Sequence, residues 1–256
     1  MKKKLIILGC GSSVGTPRID GFWGKCRRNN KKNLRTRCSA IIIKGSNRVL
    51  IDTSPDIKKQ FLSNKINNIS SVVFTHEHAD QTNGLFELRP FYWRYKKKIS
   101  IYGNFRTIKH LKKTQGYLFK EGNGYPAIVK SNIVKSKFSL GNSKEKINFS
   151  TFEVKHGNIN AVAYVFEEIA YISDSNDLSI IYNKKLKNLR YLIIDCLKLQ
   201  KHSKHFNLND SLFIHSHLKP KKTILTNLHY DLDYNFLLRK LPNNVVPAYD
   251  GLELNI

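Results

Sequence analysis

The stretch Val72-Val73-Phe74-Thr75-His76-Glu77-His78-Ala79-Asp80-Gln81 decides how the rest of the chain is read. An apolar run ends abruptly there in two histidines and a carboxylate. Val72 to Phe74 have the composition of a buried strand and the residues from Ala79 to Leu85 begin a helix, so the histidines fall on the turn between them. His76 and His78 alternate with Glu77, which sends both imidazoles to one side of an extended turn. Asp80 joins them from the first helical residues. Neutral nitrogens with a hard oxygen suit zinc, manganese or iron rather than a thiolate-bound structural ion. The plainer alternative is a polar loop whose histidines only hydrogen-bond locally. The H-x-H-x-D spacing directly after an apolar strand argues against it.

The 256 residues, 41% of them hydrophobic, suffice for one large core, and no linker divides them, so residues 1–256 are expected to form a single domain. Leu5 to Leu8 is too short for the core of a signal peptide, and no apolar run approaches the roughly 20 residues of a membrane span. A cytoplasmic protein with no membrane partner is the expectation. Cys10, Cys26, Cys38 and Cys196 form no C-x-x-C pair, so they read as reduced thiols. A net charge of +25 favours anionic partners, a phosphate ester or a nucleic acid. The same balance also arises from Lys-rich and Asn-rich exposed positions, so charge alone decides neither, and the oligomeric state stays open.

Outward from the central turn, Lys4 to Leu8 reads as a first strand. It is followed by a Gly- and Ser-rich loop, Gly9 to Pro17, that is either an anion-binding nest or a tight turn. Arg18 to Arg37 reads as a long basic loop bordering a substrate. Ser39 to Lys44 and Arg48 to Asp52 make a hairpin through Gly45-Ser46-Asn47, and Ser54-Pro55-Asp56 opens a helix. Ile99 to Tyr102 reads as a strand and Phe105 to Leu118 as a helix. Further strands are expected over 127–134, 147–155, 161–166 and 169–173. Three polar residues end apolar runs in the second half, His156, Asp174 and His229. His110, His215 and His217 read as surface or packing residues. Periodicity by itself supports a mixed α/β domain.

The segment T-H-E-H-A-D-Q resembles the H-x-H-x-D-H signature of the metallo-β-lactamase superfamily, with Gln81 in place of its last histidine. Leu8 to Pro17, Arg37-Cys38-Ser39, Asp80 to Arg89, Leu225 to Asp233 and Ala248 to Leu252 resemble one branch of it. That branch holds phosphodiesterases like the phosphoribosyl cyclic-phosphate hydrolase, with ribonuclease Z more distant. The resemblance implies a four-layered αββα sandwich that binds two divalent metal ions, zinc or manganese. By the same resemblance His76, His78 and His156 hold the first ion, Asp80 and His229 the second, and Asp174 bridges them. Asp52 orients the metal-binding turn. His205 contacts the scissile phosphate with His202 in support.

The chemistry so implied is hydrolysis by water ionised at the metal centre. Asp80 orients that water or takes its proton, and His205 protonates the leaving group. Three positions depart from the pattern. Gln81 offers a weaker amide ligand, Asn227 stands where the pattern often has T-H, and Cys26 alone remains of a structural zinc cluster, so no such zinc is expected. The reading is a metal-dependent hydrolase, a phosphodiesterase acting on a small cyclic or nucleotide-like phosphate ester. The alternatives are a ribonuclease Z-like tRNA-processing endonuclease, a glyoxalase-type thioesterase, and a non-catalytic basic nucleic-acid-binding protein with a degenerate metal site.

Overall fold

The computed structural model describes residues 3–122 and 124–256. Six strands enter a first sheet, β1 (Lys3–Gly9), β2 (Ser39–Lys44), β3 (Asn47–Ile51), β4 (Ser71–Val73), β5 (Ile99–Gly103) and β6 (Val129–Ile133). Seven more build a second, β7 (Lys137–Leu140), β8 (Ile147–His156), β9 (Ile159–Phe166), β10 (Ile169–Ile172), β11 (Tyr191–Asp195), β12 (Lys222–Thr226) and β13 (Val245–Pro247). The last strand, β14 (Leu252–Asn255), returns to the first sheet beside β1.

The central strands are buried on both faces, which is why they read as unbroken apolar runs. In β1, Leu5 and Ile7 point into the core between the sheets, where they meet Phe149, Tyr164, Ile193 and Ile224. Ile6 and Leu8 point the other way, onto α1 (Ile57–Ser63) and its neighbours. The helices of the outer layers follow from these faces. After α1 come α2 (Ala79–Thr82), α3 (Arg89–Tyr95) and α4 (Phe105–Thr114), and Ile57, Phe61, Ile108 and Leu111 cover the first sheet. Then α5 (Leu208–Leu218) and α6 (Tyr234–Lys240) place Ile214 and Leu237 against Ile194 and Leu225 of the second sheet. The layers are therefore helix, sheet, sheet, helix, the αββα sandwich that the resemblance implies.

Several boundaries differ from expectation for local reasons. Lys44 pairs with Asn47, so the hairpin closes on Gly45-Ser46 alone, with Gly45 at φ +61°. Asn47 belongs to the strand and donates from its Nδ2 to the carbonyls of Leu140 and Glu145. The helix after the metal turn is a single turn, and a separate turn over Leu85–Leu88 follows it. β7, β13 and β14 had no sequence signal, since three or four residues carry too little two-residue alternation. No helix among the described residues is long and apolar enough to cross a membrane.

The topology sets the position of the chemistry. β10, β11 and β12 run parallel, and β8 shares their direction through two antiparallel pairings with β9. Their C-terminal ends therefore share one edge, which carries His156, Asp174, Asp195 and Asn227. The turn after β4 is brought to the same edge from the other sheet. Tyr164 donates to the Phe74 carbonyl at 2.7 Å and the Val162 amide to the Thr75 carbonyl at 2.8 Å.

Candidate metal centre

The turn is held from beneath by Asp52. One Asp52 oxygen accepts from the Thr75 amide at 2.7 Å and the other from the Thr75 hydroxyl at 2.9 Å. With its proton directed at Asp52, the Thr75 hydroxyl oxygen is placed to accept from His76 Nδ1, 3.0 Å away. His76 is thus fixed in the tautomer whose Nε2 carries a lone pair. His156 reaches the same state by another route, since its Nδ1 donates to the Lys204 carbonyl at 2.9 Å. His78 Nδ1 lies 2.9 Å from His76 Nε2 and 3.3 Å from His156 Nε2. Glu77 turns the other way and pairs with Arg106, as the alternation predicts.

Two inward lone pairs thus face a third ring nitrogen, and the three atoms lie close enough together to share one cation. Burial suits the rings to that task. It pulls the His76 pKa down to about 3 and lowers that of His78, helped by His156, so both stay neutral ligands. The donor set therefore fits a divalent ion, with the outer nitrogens of His76 and His156 anchored as ligating imidazoles require.

Beside the triad, ligand atoms of His156, Asp174 and His205 also lie within 4.8 Å of one another. Burial pushes the Asp174 carboxyl up, but the facing His76, His156 and His205 outweigh it and hold it below the usual range. Burial, with Asp174 nearby, raises Asp80 to about 6. Gln81 Nε2 donates to Asp80 Oδ2 at 3.3 Å and to Asp174 Oδ2 at 3.5 Å. Asn227 Nδ2 donates to Asp174 Oδ1 at 3.2 Å and to Asp195 Oδ1 at 3.1 Å.

His205 Nδ1 sits 2.8 Å from Asp195 Oδ2 and 3.8 Å from Asp174 Oδ1. Burial works against charge on this ring, but Asp195, Asp174 and Asp80 outweigh it and raise its pKa to about 9. Asp195 itself is pushed up to about 6 by burial, against the pull of His205.

Of the residues expected at the site, His76, His78, His156, Asp174 and His205 come together, and Asp80 lines the same cleft. His229 does not join either group. Its Nδ1 lies 3.2 Å from Asp231 Oδ2 and its ring packs 3.7 Å, centroid to centroid, from Tyr230, so it stands at the rim. Asp195 was missed as a site residue. The available signal was the apolar run Leu192-Ile193-Ile194 that it ends, the same pattern that marks Asp174.

The cleft encloses about 420 Å³, and Arg18, Lys198 and Lys204 line it. Arg18 lies over the rings of Phe22 and Tyr230, at 5.2 and 5.6 Å. In the glycine-rich loop the amides of Gly11, Ser12, Gly15 and Thr16 are spent on backbone carbonyls, so the tight-turn reading describes them. The Ser12 hydroxyl from this loop is buried without a partner among the described residues, and Ser12 borders the cleft.

The β-lactamase superfamily domain model matches residues 47–230. Among solved structures, a diphosphatase from the PhnP family aligns with 100% of this chain and 98% of its own, at TM-score 0.89 and 30% identity. The chain belongs to the metallo-β-lactamase superfamily, in its PhnP-like branch. Zinc-bound PqqB from Methylobacterium extorquens shares the fold at TM-score 0.78 and 15% identity, over 99% of this chain and 100% of that one. Human tRNase Z, short form, shares it at 0.68 and 15%, over 98% of each. An octanoyltransferase from Porphyromonas gingivalis is 28% identical over 253 residues, 98% of this chain, which spans only about half, 51%, of that relative's length.

Proposed function

We propose that this metal-dependent hydrolase cleaves a small phosphate diester, cyclic or nucleotide-like, and that residues 1–256 act as one domain. The observation that carries the reading is one cleft holding both a group of three imidazoles that could bind a cation and a further imidazole, His205, positioned by Asp195. A divalent ion on His76, His78, His156 and Asp174 would lower the pKa of a water from 15.7 toward about 7 and draw charge from phosphoryl oxygens.

The chain's own groups supply the rest. Asp80, mostly ionised at neutral pH, accepts the proton of the attacking water. His205 commits its Nδ1 proton to Asp195 and keeps the Nε2 proton for the leaving alkoxide. Arg18, Lys198 and Lys204 offer a cationic rim to the ester's negative charge. Similarity to a PhnP-family diphosphatase and to a tRNase Z supports a phosphate ester as the substrate class. Acyl transfer through a thiolate has less support, because burial raises the pKa of Cys10, Cys26, Cys38 and Cys196 alike.

The test compares a cyclic ribose phosphate, a precursor tRNA and a glutathione thioester side by side, with zinc or manganese supplied. The expected result is preferred turnover of the cyclic phosphate, abolished by His78→Ala. Preferred thioester turnover overturns the reading. Preferred cleavage of precursor tRNA replaces it with the ribonuclease Z alternative, and RNA binding that weakens steeply with salt, without any turnover, with the non-catalytic one.

A further inference from the structure

The groups around Asp80 and Asp174 are of a different kind from the histidine triad. Gln81 and Asn227, with relative exposures of 0% and 2%, both turn amide nitrogens toward these carboxylates. An amide NH2 group donates two protons and has no lone pair for a cation. At the carboxylates it does what a second ion would do, answering buried negative charge with positive hydrogen.

Asn227 cannot be turned around without loss. Reversing its amide would set Oδ1 against Asp174 Oδ1 and Asp195 Oδ1, at the 3.2 and 3.1 Å now spanned by hydrogen bonds, and would gain only the His205 Nδ1 proton 3.1 Å away, so the two carboxylates decide its orientation. The imidazoles nearby are also committed. His205 spends Nδ1 on Asp195, and His229 is turned to Asp231. Apart from the Nε2 that His205 keeps, what remains nearest a second ion is oxygen: Asp80, Asp174 and the Gln81 carbonyl, which has no partner among the described residues. Charge points the same way. Two carboxylates neutralise one dication, whereas a second dication would add two unbalanced charges to a buried site.

We propose that the centre holds one tightly bound divalent ion per chain, on His76, His78 and His156 with Asp174, and that Gln81 and Asn227 stand in for the second. The pair of ions implied by the sequence is thus reduced to one tight ion beside a weak position made of oxygens. The proposal rests on the metal-centre reading above but not on the identity of the substrate.

The test is metal stoichiometry. The full chain is stripped with a chelator and dialysed to equilibrium against low-micromolar free Zn2+, and zinc per chain is measured by mass spectrometry. The wild type is expected to retain one equivalent, and the Gln81→His, Asn227→His double variant two. Two equivalents in the wild type overturn the proposal, as does a folded double variant that stays at one. Should the double variant not fold, titration of the wild type with Co2+ decides by itself, because visible absorbance saturating at one equivalent supports the proposal and saturation at two overturns it. A wild-type chain that retains no metal removes the metal-centre reading as well, while failure on every phosphate ester tried leaves the stoichiometry untouched.

Discussion

The two halves of the chain reach the centre in different ways. The first half delivers His76 and His78 from one short turn, braced by the buried pair of Asp52 and Thr75. The second half delivers His156, Asp174, Asp195 and Asn227 one at a time from separate strand ends, with His205 on a loop held by Asp195. The halves therefore divide the work. One aims two of the three nitrogen ligands, while the other supplies the third, most of the carboxylates and the proton. The sharpest way to break that division is to remove a nitrogen from the turn. His78→Ala is expected to abolish both hydrolysis and tight metal retention without changing the far-ultraviolet circular dichroism, because His78 is exposed at the cleft. Retained metal in that variant would place the ion elsewhere.

The next largest effect separates proton from ligand. His205→Ala is expected to lower kcat by about 10²- to 10⁴-fold, the usual worth of a general acid. Metal content should stay at the wild-type level. Joint loss of metal would make His205 a ligand rather than the acid. The pH profile adds a direction. With its pKa raised to about 9, His205 loses its proton as pH climbs through that value, so activity should fall on the alkaline side. Asp195→Asn removes the group that does most to raise that pKa. Its alkaline limb should move toward the ordinary imidazole value of 6.5. An unmoved limb would assign it to another group.

The same contrast explains what could be read in advance. The turn was legible because its residues are neighbours in the chain, and Leu5 to Leu8 and Val72 to Phe74 were legible because burial on both faces forbids polar residues. In the second half, His205 and His229 look alike in the sequence, each an imidazole in a polar loop after an apolar run. Which one joins His156 and Asp174 depends on Asp195 and Asp231, and those contacts form only in the folded chain. Asn227 was visible as a departure from the pattern. That its amide would join Asp174 to Asp195 depends on three strand ends meeting.

A smaller effect sharpens the first half. In Asp52→Asn the left-handed backbone at φ +61° is kept, since asparagine tolerates it. The carboxylate that accepts the Thr75 proton is gone, however, and that hydroxyl can now donate to His76 Nδ1. The ring proton then moves to Nε2, where it blocks the lone pair aimed at the ion. Metal affinity should fall by about 10- to 100-fold, the usual cost of losing such a partner, measured by competition with a chromophoric chelator. Unchanged affinity would mean that the turn aims His76 without help from Asp52.

The smallest expected effect belongs to His229, the imidazole that the sequence placed on the metal and the structure places at the rim. It is half-buried, lies against Tyr230, and is paired with the Asp231 carboxylate. His229→Ala should cost no more than about 0.5 kcal/mol, roughly twofold in kcat/KM, as for a surface substitution, with metal retention unchanged. The value of this variant lies in its asymmetry with His78→Ala. Both remove one imidazole from the same cleft, so a difference between them measures where the ion is held rather than how many histidines surround it. Comparable metal loss in the two would put a nitrogen ligand on the second half's rim, and the single-ion centre would have to become a pair.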